Sequence, residues 1–331
     1  MTQTQTTELD AAVAVLLEGD RFAVTTHENP DGDAYGSLLA LHLALQALGK
    51  DSVMVVGDQP IPIEYRLLDL SRHGLLTAPP EDIASRTLIA VDCAQESRIS
   101  AKGLSELTPV ALNVDHHHDN TRFGAVDLVV GDASSCGEVL ADVFAAAGVE
   151  LTPEIALALY VALVTDTGRF QYGNTTPKSL RLAATLVEAG APLGEIFRSV
   201  YESVEFPRLK LLGKALESAT LHDGNRVVFA VLTRADFASV GASEPDSEGV
   251  IDTLRSVVGT ELACLVRELP PGGEMRCKGS LRASTSELDV SAIARLFKGG
   301  GHRQAAGFSS ELDLEGVRET VLAAYREARG V

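Results

Sequence analysis

Cysteine is scarce and scattered. The four copies, Cys93, Cys136, Cys264 and Cys277, form no C-x-x-C pair. A disulfide framework or a cysteine-built zinc site is therefore not expected, and a reducing compartment fits. Apolar residues make up 45% of the chain, yet no run of 18 or more occurs, so no transmembrane helix is expected. The N-terminus lacks the basic flank of a secretory signal and carries acids around its first apolar stretch, which predicts a cytoplasmic protein. Basic residues are few, 28 against 46 acids, for a net charge of -18. A long nucleic acid bound along the surface needs a broad basic stripe, which this charge argues against. A small phosphorylated ligand in a local pocket remains compatible. Two windows free of acids, Met275 to Ser284 and Ile293 to Gly307, hold Arg276, Lys278, Arg282, Arg295, Lys298, His302 and Arg303. Internal repeats and low-complexity tracts are also missing.

What is present alternates. Short apolar runs at Arg21 to Thr26, Ser52 to Val56, Thr87 to Val91 and Val110 to Val114 read as strands. Helical patterns cover Gly36 to Leu48, Gly137 to Ala147, Pro153 to Thr165 and Leu180 to Ala189. Continuous apolar strands alternating with helices predict an α/β domain, a mostly parallel sheet with helices on both faces, over residues 1–190. Residues 191–221 read as a helical linker. A smaller α+β domain is expected over 222–331, with strands at Val227 to Leu232, Glu261 to Glu268 and Glu274 to Ala283. Pro270-Pro271-Gly272-Gly273 marks a hairpin between the last two, and helices are expected at Gly249 to Val258, Val290 to Phe297 and Leu314 to Arg329.

Chemistry gathers where the first-half elements end. The first strand runs into His27-Glu28-Asn29-Pro30-Asp31-Gly32-Asp33, the third ends at Asp92, the fourth at Asp115-His116-His117, and the helix from Pro153 at Asp166. In open parallel sheets the working crevice lies beyond the carboxyl ends of the strands. His27, Asp31, Asp33, Asp92, His116 and Asp166 supply four carboxylates and two imidazoles. Four buried carboxylates without compensation are very costly, and two divalent cations neutralise them. The mixed donor set suits manganese, cobalt, iron or zinc better than magnesium. Taken singly, a D-x-D turn, a His-His pair or an Asp after a strand is usually structural; four such pieces at element ends are not readily coincidental.

These pieces resemble the four motifs of the DHH phosphoesterase superfamily, in order: His27-x-x-Pro30-Asp31-Gly32-Asp33, Val91-Asp92, Asp115-His116-His117 and Thr165-Asp166-Thr167-Gly168. Gly279-Ser280-Leu281-Arg282 followed by Gly299-Gly300-Gly301-His302 resembles the DHH-associated domain. The branch most similar in length and domain content joins oligoribonuclease activity with hydrolysis of 3′-phosphoadenosine-5′-phosphate (pAp). The resemblance implies one metal at His27, Asp31 and Asp92 and a second at Asp33, Asp92, His116 and Asp166, with manganese the expected ion and Asp92 shared. It places His117 beside the reacting phosphate, with Asp115 orienting the neighbouring histidines; a plain helix N-cap is the alternative for Asp115.

Recognition is expected from the second domain. Gly299, Gly300 and Gly301 can present backbone N–H groups to an anion, and a helix entered at Ala305 would add its dipole. Arg282 can grip a phosphate through two hydrogen bonds, and His302 adds a donor. Ser134 and Ser135 either line the cleft or cap a helix. Substrates of two to five nucleotides, pAp, or linear or cyclic di-adenylate are expected, with no membrane and no long nucleic acid as partner, and a homodimer by resemblance. Rival readings are a RecJ-like exonuclease, an inorganic pyrophosphatase and a non-catalytic nucleotide sensor.

Overall fold

The computed structural model describes residues 3–285 and 287–330. They divide into two compact units, 1–203 and 204–331. The stretch 191–221, expected as a helical linker, forms two helices, one on either side of that division.

In the first unit the elements run α1 (Gln3–Glu18), β1 (Arg21–Thr25), α2 (Gly32–Ala47), β2 (Asp51–Val55), β3 (Leu75–Leu76), β4 (Thr87–Val91), α3 (Leu104–Leu107), β5 (Val110–Asp115), β6 (Val126–Val129), α4 (Cys136–Ala147), α5 (Pro153–Asp166), α6 (Pro177–Glu188) and α7 (Leu193–Glu202). All six strands are parallel, in the order β3-β2-β1-β4-β5-β6. The order reverses at β1/β4, and the next strand outward is β5. Thr25 pairs with Ala90 and Val91 with Val114, so the residues that follow these three strands emerge side by side. The edge strands β3 and β6 were not expected; with two and four residues they are too short to show a pattern in sequence.

Two helices set the fourth corner of the site. α2 and α5 are apolar around most of their circumference, the mark of a helix buried on all sides. A Cβ on Gly36 would stand 2.5 Å from the Ala158 carbonyl oxygen and 2.8 Å from the Ala162 nitrogen. The missing side chain thus lets α2 lie backbone against backbone on α5. This contact delivers the C-terminal end of α5, Asp166, to the same place as the N-terminal end of α2.

The second unit comprises α8 (Phe206–Ser218), β7 (Thr220–His222), β8 (Val227–Leu232), α9 (Arg234–Val240), α10 (Val250–Arg255), β9 (Leu262–Glu268), β10 (Cys277–Ala283), α11 (Val290–Arg295), β11 (Gly300–Gly301), β12 (Ala305–Ser310) and α12 (Leu314–Arg329). Its mixed sheet has the order β11-β12-β10-β9-β8-β7, with β8 and β9 parallel and the other pairs antiparallel. One face packs on α11 and α12 and the other on α8 and α10. Among the described residues no helix is long and apolar enough to cross a membrane.

Candidate metal centre

The loop after β1 turns at Asn29, whose φ is 55°. Asp31 then caps α2, accepting from the backbone nitrogens of Asp33 at 3.0 Å and Ala34 at 3.1 Å. Asp33 lies in the first turn of α2, fully buried, where α4 begins. It accepts from the nitrogens of Cys136 at 2.6 Å and Gly137 at 3.0 Å, and from the Ser37 hydroxyl at 2.9 Å. The exposed N–H groups of a helix start hold this carboxylate in one orientation.

Both expected histidine ligands are oriented alike. Nδ1 of His27 donates to the Glu28 carbonyl oxygen at 2.7 Å, and Nδ1 of His116 to that of Ala133 at 3.3 Å. Each Nε2 is thereby left as an acceptor facing the carboxylates, the arrangement usual for a metal-binding imidazole. Nε2 of His116 stands 3.6 Å from Asp33 Oδ2, 3.6 Å from Asp92 Oδ1 and 3.7 Å from Asp166 Oδ2. Nε2 of His27 stands 3.6 Å from Asp92 Oδ2, with Asp31 in the same cluster. Ligand atoms held about 2.0–2.2 Å from a tetrahedral cation lie roughly 3.3–3.6 Å apart, so both sets fit the demands of an ion.

Asp92 belongs to both sets through its two different oxygens. It follows β4 with φ at 51°, a left-handed conformation uncommon outside glycine and held against some strain. Its Oδ1 is buried and lacks a hydrogen-bond partner among the described residues. An orphaned carboxylate oxygen between two rings of donors is otherwise hard to account for. Burial first, and then the neighbouring Asp92 charge, raise Asp31 and Asp33 above the ordinary carboxylate range. Burial also pushes Asp166 up to about 6, although His116 pulls the other way. Protein groups alone therefore do not neutralise this cluster, and a pair of divalent cations fits it.

His117 is partly exposed and stands beside the second ligand set, its Nδ1 3.6 Å from Asp92 Oδ1. Its Nδ1 donates to Asp115 Oδ1 at 2.8 Å, and that bond is the main reason its pKa rises to about 9. Asp115, wholly buried at the end of β5, starts no helix. Burial works to raise its pKa, but the His117 and Asn120 hydrogen bonds and the His116 backbone nitrogen hold it below the usual range.

Residues 21–163 match the model of the DHH family, N-terminal domain, and residues 224–328 match the DHHA1 domain. The chain is 34% identical over 322 residues to the bifunctional oligoribonuclease and PAP phosphatase of Thermus thermophilus, covering 96% of this chain and 93% of the relative. The chain belongs to the DHH family. The corresponding Bacillus subtilis protein is 24% identical over 294 residues, 88% of this chain and 89% of its own. In fold, an exopolyphosphatase-related protein from Bacteroides fragilis superposes with a TM-score of 0.86 at 23% identity, over 97% of both chains.

The DHH signature leaves two asparagines unmarked. Asn120 donates to Asp115 Oδ2 at 2.6 Å and to Asn113 Oδ1 at 2.8 Å, locking the base of the DHH turn. Asn174 donates to the carbonyls of Ser134 at 3.0 Å and Asp166 at 3.1 Å, tying the end of α5 to the loop before α4. A polar residue a few positions beyond each motif was the only sequence signal for either. Ser134 and Ser135 do not line a cleft: both are fully buried. Ser135 caps α4, accepting from the Glu138 nitrogen at 3.0 Å, and the Ser134 hydroxyl donates to the Glu138 carboxylate at 2.5 Å.

In the DHHA1 domain, Arg282 lies on β10, half-buried, with Nε 3.6 Å from Asp252. The glycine run forms a hairpin rather than a helix start. Gly300 and Gly301 pair with Gly307 and Ala306, and the His302 nitrogen donates to the Ala305 carbonyl at 2.8 Å. Ala305 opens strand β12 and not the helix whose dipole was considered, because its small residues pair with β10 from Arg282–Ala305 to Cys277–Ser310. No helix dipole assists here. Gly301 has φ at 138°, and a Cβ would meet the Ala305 carbonyl oxygen at 2.5 Å, so the hairpin itself requires glycine. Gly300 and His302 are exposed, and Gly299 packs against Phe308.

Proposed function

We propose that this DHH protein hydrolyses pAp and oligonucleotides of two to five residues to mononucleotides, with linear or cyclic di-AMP as further candidates. The carrying observation is the placement of Asp92, strained and with an unpartnered oxygen, between His27 with Asp31 on one side and Asp33, His116 and Asp166 on the other. Those six residues would hold two divalent cations. When bound, such cations supply Lewis acidity toward a phosphoryl oxygen and make water a nucleophile near neutral pH. The Thermus thermophilus relative, named for oligoribonuclease and PAP phosphatase action, supports the substrate class. Manganese as the working ion, a cytoplasmic location and a homodimer belong to the same reading.

The chain's own residues perform the remaining tasks. With Nδ1 committed to Asp115, His117 keeps only Nε2 for the substrate and presents it on the partly open side of the cluster. From there it donates to a phosphoryl oxygen or gives its proton to the departing oxygen. Asp115 fixes that ring and, through its bond to the His116 nitrogen, the neighbouring backbone. Within the second unit, Arg282, His302 and the exposed hairpin glycines offer donors of the kind a phosphate takes.

A manganese-supplemented panel tests this reading: pAp, a 5′-phosphorylated dinucleotide, an RNA pentamer, a long DNA strand, cyclic di-AMP and pyrophosphate. Rapid turnover of pAp and the short oligomers is expected, with little on the long strand or pyrophosphate. A long strand shortened as fast as the pentamer would favour a RecJ-like exonuclease, and phosphate released chiefly from pyrophosphate a pyrophosphatase.

A further inference from the structure

Just past the candidate ligand Asp166, three successive residues are left-handed: Gly168, Arg169 and Phe170, with φ at 53°, 63° and 64°. Only the first is glycine, and the other two take this conformation at a cost that their surroundings must hold in place. Thr167 does much of the holding. Its hydroxyl donates to the Leu163 carbonyl at 2.6 Å and accepts from the Phe170 nitrogen at 3.2 Å. Its carbonyl accepts from the nitrogens of Gln171 and Tyr172, both at 3.0 Å. The loop then returns to its origin, because Asn174 Nδ2 donates to the Asp166 carbonyl at 3.1 Å and lies 3.4 Å from the Asp166 carboxylate. Both ends of this strap are therefore fixed to a residue of the cluster. Backbone strain of this kind gathers at working sites, and the strap presents two side chains that the cluster does not use, Arg169 and Tyr172.

Tyr172 is 55% exposed. Single exposed aromatics are ordinary; the seating of this one is specific. A Cβ on Gly168 would stand 2.4 Å from Cζ, 2.5 Å from Cε1 and 2.5 Å from Cε2 of the Tyr172 ring, with the hydroxyl oxygen farther off. Near-equal approach to three ring carbons puts that point over the face of the ring, not at its edge. The ring thus lies flat on the glycine, which leaves the exposed area to its other face and its rim. Arg169 is also exposed and has no carboxylate partner among the described residues; its guanidinium carbon stands 3.9 Å from the centre of the Tyr201 ring. Burial pushes the Tyr201 hydroxyl up to about 12; Arg169 pulls it down and Tyr172 adds to the rise, so the three side chains lie within electrostatic reach of one another. Residues 167–187 hold no acid, in a chain that has 46.

A flat aromatic face beside an uncompensated cation suits a phosphorylated nucleoside: the base stacks on the ring and the cation favours the anionic end. We infer that the exposed face of Tyr172 is a stacking platform for the base of a nucleotide whose phosphate lies at the metal cluster. Such a platform reads planarity and not an edge, so it accepts any of the common bases. The inference rests on the nucleotide-hydrolase reading above and names the residue that holds the base.

The test is equilibrium binding to the full chain in manganese buffer, with two probes that differ only in the base: adenosine 5′-monophosphate and ribose 5-phosphate. The wild type should bind the nucleotide at least about tenfold more tightly. Tyr172→Ala should shrink that ratio by roughly fivefold or more, through the nucleotide alone, with ribose 5-phosphate affinity kept within about twofold. Tyr172→Phe, which keeps the plate and loses only the hydroxyl, should hold the wild-type ratio within about twofold. Equal affinity of the wild type for the two probes, an unchanged ratio in Tyr172→Ala, or a loss in Tyr172→Phe as large as in Tyr172→Ala overturns the inference. Circular dichroism confirms that each variant is folded. Tyr172→Leu, which covers Gly168 without an aromatic face, carries the test if Tyr172→Ala is not. Hydrolysis of pAp by the wild type, measured in parallel, separates this inference from the activity. A ratio lost in Tyr172→Ala without wild-type turnover keeps the platform and removes the proposed reaction; turnover with a ratio that Tyr172→Ala leaves unmoved does the reverse.

Discussion

Asp92 concentrates more of the site's demands than any other residue. Its backbone is left-handed, its carboxylate is buried, and its two oxygens face different donor sets. Asparagine tolerates the same backbone region and keeps the side-chain shape while removing the charge, which makes Asp92→Asn a cleaner change than alanine. We expect that variant to lose about a thousandfold or more in kcat/KM on pAp. Its bound manganese, measured by atomic spectroscopy after desalting, should fall with it; full activity with normal metal content would remove Asp92 from its central place. The six candidate ligands were legible in the sequence because each stands at the end of a strand or helix, where chain order already predicts a crevice. Asn120 and Asn174 were not, because their role comes from loops that return across 5 to 40 residues to meet a motif.

At the scale of elements, α2 carries a cost for being buried on all sides. His42 lies inside it, 2% exposed, with Nδ1 3.0 Å from the Ser52 hydroxyl and Nε2 without a partner among the described residues. Burial, with His73 nearby, lowers its pKa from 6.5 to about 4. The unfolded chain thus takes up a proton near pH 6.5 that the folded chain refuses until about pH 4. Stability from this group is complete above pH 6.5 and falls as pH drops toward 4, by about 2 kcal/mol at pH 5. Urea unfolding at pH 7.5 and pH 5 should show the wild type losing about that much more than His42→Asn. Equal losses in the two proteins would place the acid sensitivity elsewhere. The long elements were readable from sequence, β4, β8 and α12 to the residue, because periodicity and caps bound them. The strand Ala305–Ser310 was not legible because small residues fit a helix and a strand equally well, and pairing with β10 decides between them.

Across the whole molecule, the candidate metal ligands and the candidate recognition residues are built into separate units. All six candidate ligands lie within residues 1–203, and Arg282 with the glycine hairpin lies within 204–331. The net charge of -18 argues against a long polyanion bound along the surface. One consequence follows from packing four acids into a space that protein groups alone leave repulsive. Folding must work against that repulsion until cations arrive, and ions that bind only the folded form stabilise it by mass action. Each site contributes about 2.7 kcal/mol when the free ion stands at a hundred times its dissociation constant. Scanning calorimetry should therefore show the first unit's unfolding temperature climbing with manganese and falling by several degrees in a chelator, whereas a midpoint blind to both would speak against a caged ion pair. Heat resistance in this enzyme becomes a gauge of its mineral supply, so a cell starved of the metal would lose the protein as well as its activity.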